Sequence, residues 1–173
     1  MAYDSRSLGP QHLAADLKWE PQRTNNFQLN IFGLPGQGTE MIMLALVSFS
    51  LPTISNDPIS VKHGNTDVKF AGVTQWQGSN SLQVNDYITT DMSQIISDWR
   101  ALVYNPVTDA IGWAVEYKKT GEVVEFGPDG TFYRTWHYEG LWPNEVNFGE
   151  LSHDGNDIRK IEMTIQYDRA YRV

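Results

Sequence analysis

The chain has 173 residues, a length that suits one domain able to bury roughly 70% of its unfolded surface. It contains no cysteine, which excludes disulfide frameworks, thiolate metal sites and cysteine nucleophiles. The 13 basic and 21 acidic residues leave a net charge of −8, so long-range Coulomb forces repel phosphate and disfavour tight nucleic-acid binding.

Residues 1–24 are polar and interrupted by Pro10 and Pro21. They read as an arm with a short helical turn from His12 to Trp19, and the domain proper as 25–173. The start Met1-Ala2-Tyr3-Asp4-Ser5-Arg6 has no basic segment followed by an apolar core, so a chain without signal peptide is expected. The longest apolar run, Met41 to Val47, is too short to span a bilayer.

From Phe27, apolar residues alternate with polar ones through Ile31, and Gly33-Leu34-Pro35-Gly36-Gln37-Gly38 makes a turn, the expected start of a hairpin. Met41 to Leu51 reads as a strand covered on both faces and ended by Pro52. Ile59–Lys62 and Val68–Ala71 read as two short strands across His63-Gly64-Asn65, and Trp76 to Ser81 as an exposed polar loop before a strand from Leu82 to Thr89. One helix is predicted after Asp91. Met92, Ile95, Ile96, Trp99, Leu102 and Val103 recur at spacings of three and four, with Gln94 three residues beyond the cap and Asn105-Pro106 as the stop.

Strands are then expected at Ile111–Tyr117, Glu122–Phe126 and Phe132–Glu139, the last two joined by Gly127-Pro128-Asp129-Gly130. Gly140-Leu141-Trp142-Pro143 closes that run, since proline leaves a central strand, and Trp142 is expected to anchor the final hairpin. In the last strand, Ile161, Met163, Ile165 and Tyr167 alternate with Glu162, Thr164, Gln166 and Asp168, which puts one face on a core. About eight strands around one main flanking helix make an α+β, mostly β domain, an antiparallel barrel or compact sandwich.

No catalytic or metal motif emerges. His12, His63, His137 and His153 have no ligand spacing. The Gly33, Gly36, Gly38 cluster lacks the lysine of a phosphate loop and precedes a strand-like run. Asp154, Asn156 and Asp157 imitate a calcium loop with the glycine misplaced, and the pairs Glu116 with Glu122 and Glu122 with Glu125 would serve as acid and base only in a cleft. Trp76, among Gln75, Gln77, Gly78, Ser79 and Asn80, is placed at an interface, because a loop tryptophan meets solvent unless a partner covers it.

The stretch from Glu116-Tyr117-Lys118-Lys119 through Gly140-Leu141-Trp142-Pro143 into the last strand, preceded by Leu51-Pro52, Ala71-Gly72, Val84-Asn85-Asp86 and the helix bearing Trp99, resembles the inner tail-tube proteins of contractile-tailed bacteriophages. The resemblance spans about residues 27 to 168. It implies a tube fold related to that of type VI secretion, hexameric rings stacked into a hollow cylinder, no enzymatic activity and no cofactor. It also implies a virion tail location after assembly in the host cytoplasm, with sheath, baseplate or tube initiator, tape-measure and terminator proteins as partners. DNA would pass through the lumen without tight binding, and no membrane would be contacted. A tube-initiating baseplate component and the tube of a phage-derived injection device are close variants. A carbohydrate-binding β-sandwich and a carboxylate enzyme are the rivals from other classes.

Under this reading Pro52, Asn56, Asp57, Trp76 and Gly78 are candidate ring-stacking residues, because their loops are long and polar. Glu162, Gln166 and Asp168, on the polar face of the last strand, are candidates to line the lumen.

Overall fold

The computed structural model describes residues 20–173; the arm expected over residues 1–24, with its helical turn from His12 to Trp19, lies outside them as far as residue 19. A long antiparallel sheet follows the order β1 (Phe27–Phe32), β8 (Lys119–Phe126), β9 (Phe132–Asn147), β10 (Lys160–Gln166), β5 (Ser79–Asn85), β2 (Leu46–Phe49), and β11 (Arg169–Arg172) pairs with β9 beyond the end of β10. Its end strands β1 and β2 do not pair with each other, so the sheet is not a closed barrel. Strand β9 links the two halves. Its first part pairs with β8 on one side and β11 on the other, and its last part with β10.

The period-two reading of the last strand holds. Ile161, Met163, Ile165 and Tyr167 are buried while Glu162 is exposed. They meet Leu29, Ile31, Leu82, Val84, Tyr138 and Leu141 in one core. Tyr138 stands at its centre, edge-on to both Phe49 and Tyr167 at 5.5 Å, and its hydroxyl accepts from Asn80 Nδ2 at 3.2 Å. The predicted helix is also present as α2 (Met92–Val103). Asp91 Oδ1 accepts from the Gln94 amide at 3.0 Å, and Met92, Ile96 and Trp99 are fully buried.

Five expectations fail for identifiable reasons. Met41–Ala45 belongs to a helix, α1 (Gly38–Ala45), and only Leu46–Phe49 is extended. A short apolar run has no decisive period: Ile42 and Ala45, three apart, are buried while Leu44 is 77% exposed. The glycine cluster therefore leads into a helix, and β1 pairs with β8 instead of opening a hairpin. Gly38 is required by packing, since a Cβ there would lie 2.9 Å from Ile95 Cγ2 on α2.

The segment Ile111–Tyr117 holds the end of a two-residue strand pair, β6 (Tyr104–Asn105) with β7 (Ala110–Ile111), and a short helix α3 (Ala114–Tyr117). Tryptophan 76 ends a strand, and Ser79 begins the next, so no long exposed loop separates them. Finally, β9 continues through Gly140–Pro143 to Asn147. Pro143 faces Ile165 beside a bulge that leaves Asn144 unpaired, and β8 reaches no further than Leu141 on the other side. Bulges and unpaired edges are where a strand tolerates proline.

Candidate assembly surfaces

The most unusual element is a hairpin made of β3 (Ile54–His63) and β4 (Thr66–Trp76), nearly every residue of which is exposed. Its register pairs Ile59 with Phe70 and Val61 with Val68. Directly opposed residues share a face, as do residues two apart. These four side chains therefore form one apolar patch, each between 44% and 56% exposed. The other face carries Ser60 opposite Lys69 and Lys62 opposite Asp67. An isolated two-stranded ribbon is marginal in water, and this one turns an apolar side to solvent.

The five sequence-derived stacking candidates gather at the root of this hairpin. Asn56 Nδ2 donates to Thr74 Oγ1 at 3.0 Å, and Gln75 Nε2 donates to Asp57 Oδ2, so both side chains are spent on fastening β3 to β4. Pro52 and Gly78 are half-buried beside the root, which the Gln77 amide and the Tyr167 amide close by donating to the Thr53 and Gly78 carbonyls. Trp76 is half-buried against the core. Its ring does not stand free in solvent as the loop reading implied. Sequence reasoning missed Ile59, Val61, Val68 and Phe70. Their alternation was visible, but alternation normally marks a face turned to the chain's own core.

A second surface is the outward face of β9, β10 and β5. Cross-strand rows place Glu162 beside Gln83 and Asn147, Thr164 beside Ser81 and Glu145, and Gln166 beside Ser79 and Trp142. Gln83 Nε2 donates to Glu162 Oε1 at 2.6 Å. The structure thus brings Glu162 and Gln166 together on one hydroxyl- and amide-rich face. Asp168 lies beyond the end of β10, held by Lys118 Nζ at 2.7 Å.

The Gly140–Pro143 motif supports this region. Gly140 has φ of 72°, and a Cβ added there would sit 2.6 Å from Asp168 Cγ. Leu141 is fully buried. Trp142 is only half-buried, edge-on to Tyr117 at 5.9 Å, whereas Trp99 on α2 is fully buried and its Nε1 donates to the Tyr117 carbonyl at 3.1 Å.

At the other end of β5 and β10 lies an open groove of about 930 Å³, lined by Tyr87, Ile88, Leu151 and Ile158 together with Thr89, Thr90, Asp91 and Ser93. Arg159 pairs with Asp86 and donates to Ser93 Oγ at 3.2 Å, which ties its two walls together. A further apolar patch, Val107, Ile111, Trp113 and Val115, stands exposed beside α3.

No catalytic constellation assembles among the described residues. Glu122 and Glu125, three apart on β8, point to opposite faces; Glu122 accepts from Asn30 Nδ2 at 3.1 Å, and Glu125 from Trp136 Nε1 at 3.2 Å. Nor does any group of three or more His, Asp or Glu there suit a metal ion.

No protein-family model and no curated sequence matches the chain. Solved structures do match in fold. One is a component of the sheath–tube complex of an extracellular contractile injection system, PVC, in its extended state, at 18% identity over 96% of this chain and 99% of the other with a TM-score of 0.64. Another is from the tube-terminating cap of the anti-feeding prophage, at 17% identity over 88% and 91% with a TM-score of 0.65. A third is from the anti-feeding prophage baseplate, at 13% identity over 88% and 95% with a TM-score of 0.64. Over nearly its whole described length, the chain therefore has the fold of components of contractile-injection tube assemblies.

Proposed function

We propose that this protein is a structural tube component of a contractile injection system, one that assembles with copies of itself into stacked rings around a channel. The observation that carries this reading is the fold match along 96% of the chain and 99% of the PVC component. The contractile-phage inner tube is the neighbouring assignment; all three matched structures described above come from injection devices or a prophage-derived relative, which favours the device.

The surfaces suit the role. A ring needs a heterologous contact that closes, and a cylinder needs one that propagates. Unpaired sheet edges supply the first through main-chain hydrogen bonds. The hairpin supplies the second. The Ser81–Glu162–Gln166 face lines the channel, where hydroxyls, amides and a few carboxylates give a cargo no site to adhere to, and the net charge of −8 repels nucleic acid. Sheath, baseplate and terminator proteins are the expected partners on the outside and at the ends.

Size-exclusion chromatography with negative-stain microscopy of the purified chain tests the proposal. Rings or tubes with a central hole are expected. A strict monomer at high concentration, even with a baseplate nucleus added, refutes it.

A further inference from the structure

Two aspartate–glycine steps occur in the chain, Asp129-Gly130 and Asp154-Gly155. Such a step is chemically labile, because glycine has no Cβ to hinder the approach of its amide nitrogen to the preceding side-chain carboxyl. The first forms the turn from β8 to β9, and the second lies in the connection between β9 and β10, residues 148–159. Neither exposure nor room separates them. Both aspartates are exposed, and a Cβ added at the glycine would meet nothing within 4 Å at Gly130 and only Ser152 Cβ, at 3.9 Å, at Gly155.

Hydrogen bonding does separate them. Asp129 Oδ1 accepts from the Thr131 amide at 3.1 Å and from Thr131 Oγ1 at 2.6 Å. The Gly130 amide donates to the Gly127 carbonyl at 3.0 Å, and the Gly127 amide to the Thr131 carbonyl at 2.8 Å. Both reacting groups of that step are therefore engaged. The Thr131 hydroxyl, and less strongly the Thr131 amide, also hold the Asp129 carboxyl below its ordinary value, which favours the ionised, less electrophilic form. At Asp154 the pattern reverses. Its own amide donates to Ser152 Oγ at 3.3 Å, but among the described residues neither carboxylate oxygen accepts a hydrogen bond and the Gly155 amide donates none. Electrophile and nucleophile are both free.

We propose that Asp154 is a site of spontaneous isomerisation to isoaspartate, whereas Asp129 is protected by its turn. The Gly155 nitrogen attacks Cγ of the protonated Asp154 side chain; the N–Cγ bond forms, the Cγ–OH bond breaks, and the amide proton leaves with that hydroxyl as water. Water then opens the succinimide. Addition at Cγ restores aspartate. Addition at the main-chain carbonyl carbon breaks its bond to nitrogen, so the chain now runs through Cβ and Cγ and the carboxylate sits on Cα. The mass is unchanged, and the backbone is longer by one methylene. Gly155, Asn156 and Asp157 line an open cavity of about 970 Å³ with Leu151 and Lys160, so ageing reshapes this rim of the subunit.

Trypsin places the two steps in different peptides, 120–134 and 135–159. The full-length protein is aged at mildly acidic pH, native and in urea, and then digested. Isoaspartate is read by methyl transfer from S-adenosylmethionine with a protein isoaspartate methyltransferase and located by fragment-ion mass spectrometry. In the native protein, peptide 135–159 should accumulate it faster than 120–134 by on the order of tenfold or more, the weight of one or two net hydrogen bonds in a barrier. In urea the two rates should converge. Asp154→Glu should abolish the signal from 135–159, and Thr131→Ala should raise the signal from 120–134. The proposal is overturned by equal rates in the native protein, by a difference that persists in urea, or by native 135–159 free of isoaspartate. Isoaspartate there that carries the mass change of deamidation at Asn156 overturns it as well, and an unmoved 120–134 rate in Thr131→Ala overturns the protection by the turn.

Discussion

Replacing Ile59 and Phe70 together by serine separates folding from assembly. Both side chains are 56% exposed in the subunit, and complete burial of such a residue contributes about 1.5–3 kcal/mol. Roughly half of that, about 0.8–1.5 kcal/mol for each, remains to be gained on docking. If the hairpin face is the stacking contact, the pair contributes about 2–3 kcal/mol to each contact, a factor of about 30–150 in its equilibrium constant. Because a ring of the proposed tube would make several such contacts, the critical concentration for tubes should rise by at least that factor. The unfolding midpoint of the isolated subunit should change little, since neither side chain touches the core. The assays are sedimentation against protein concentration for assembly and urea unfolding of dilute monomer for stability. Tubes forming at the wild-type concentration refute the argument, and so does a loss of monomer stability comparable to the loss of assembly.

Three further outcomes follow from the packing. Trp99→Ala should cost about 3–5 kcal/mol because the ring is fully buried, whereas Trp142→Ala, at a half-buried site, should cost about 1–2 kcal/mol; equal losses in urea melts would contradict this ordering. Gly140→Ala should destabilise by about 1–2 kcal/mol from its left-handed backbone alone. Asp168→Ala should then recover part of any excess in a double-mutant cycle, because an added Cβ crowds that carboxylate; strict additivity would refute the crowding. Burial pushes the Tyr138 hydroxyl well above its ordinary value near 10, against a smaller lowering by the Asn80 hydrogen bond. The folded state thus holds this proton more tightly than the unfolded one. The stability so gained is complete below pH 10 and is lost as pH rises beyond it. Tyr138→Phe should flatten the alkaline fall in melting temperature, and an unchanged slope would show that another group governs it.

Where local pattern and tertiary environment agreed, the sequence was easily read. Helix α2 carries its own cap and an apolar stripe, and β10 alternates cleanly because one of its faces is core and the other is not. The segment Met41–Leu51 was ambiguous because eleven apolar-rich residues satisfy helix and buried strand alike, and the choice fell to contacts with β1 and α2. Trp142 and Trp99 illustrate the same limit. Both are tryptophans beside strong motifs, yet only the fold decides which of them is enclosed.

The candidate surfaces were half legible for a similar reason. Pro52, Asn56, Asp57, Trp76 and Gly78, chosen for their turn chemistry, lie at the root of the hairpin, where Asn56 and Asp57 fasten β3 to β4. Glu162 and Gln166 followed from the period of β10, while Asp168 left their row because the strand breaks at Tyr167 and Lys118 takes its carboxylate.

By itself the sequence determined the class of the protein: acidic, cysteine-free, strand-rich, with one capped helix and no catalytic spacing, since these depend on composition and short-range periodicity. Only the tertiary structure decided that an apolar ribbon projects from one end of a sheet and that a groove of mixed lining opens at the other. A pattern of alternating side chains fixes which residues share a face; whether that face meets its own core or another molecule depends on where the remaining strands go.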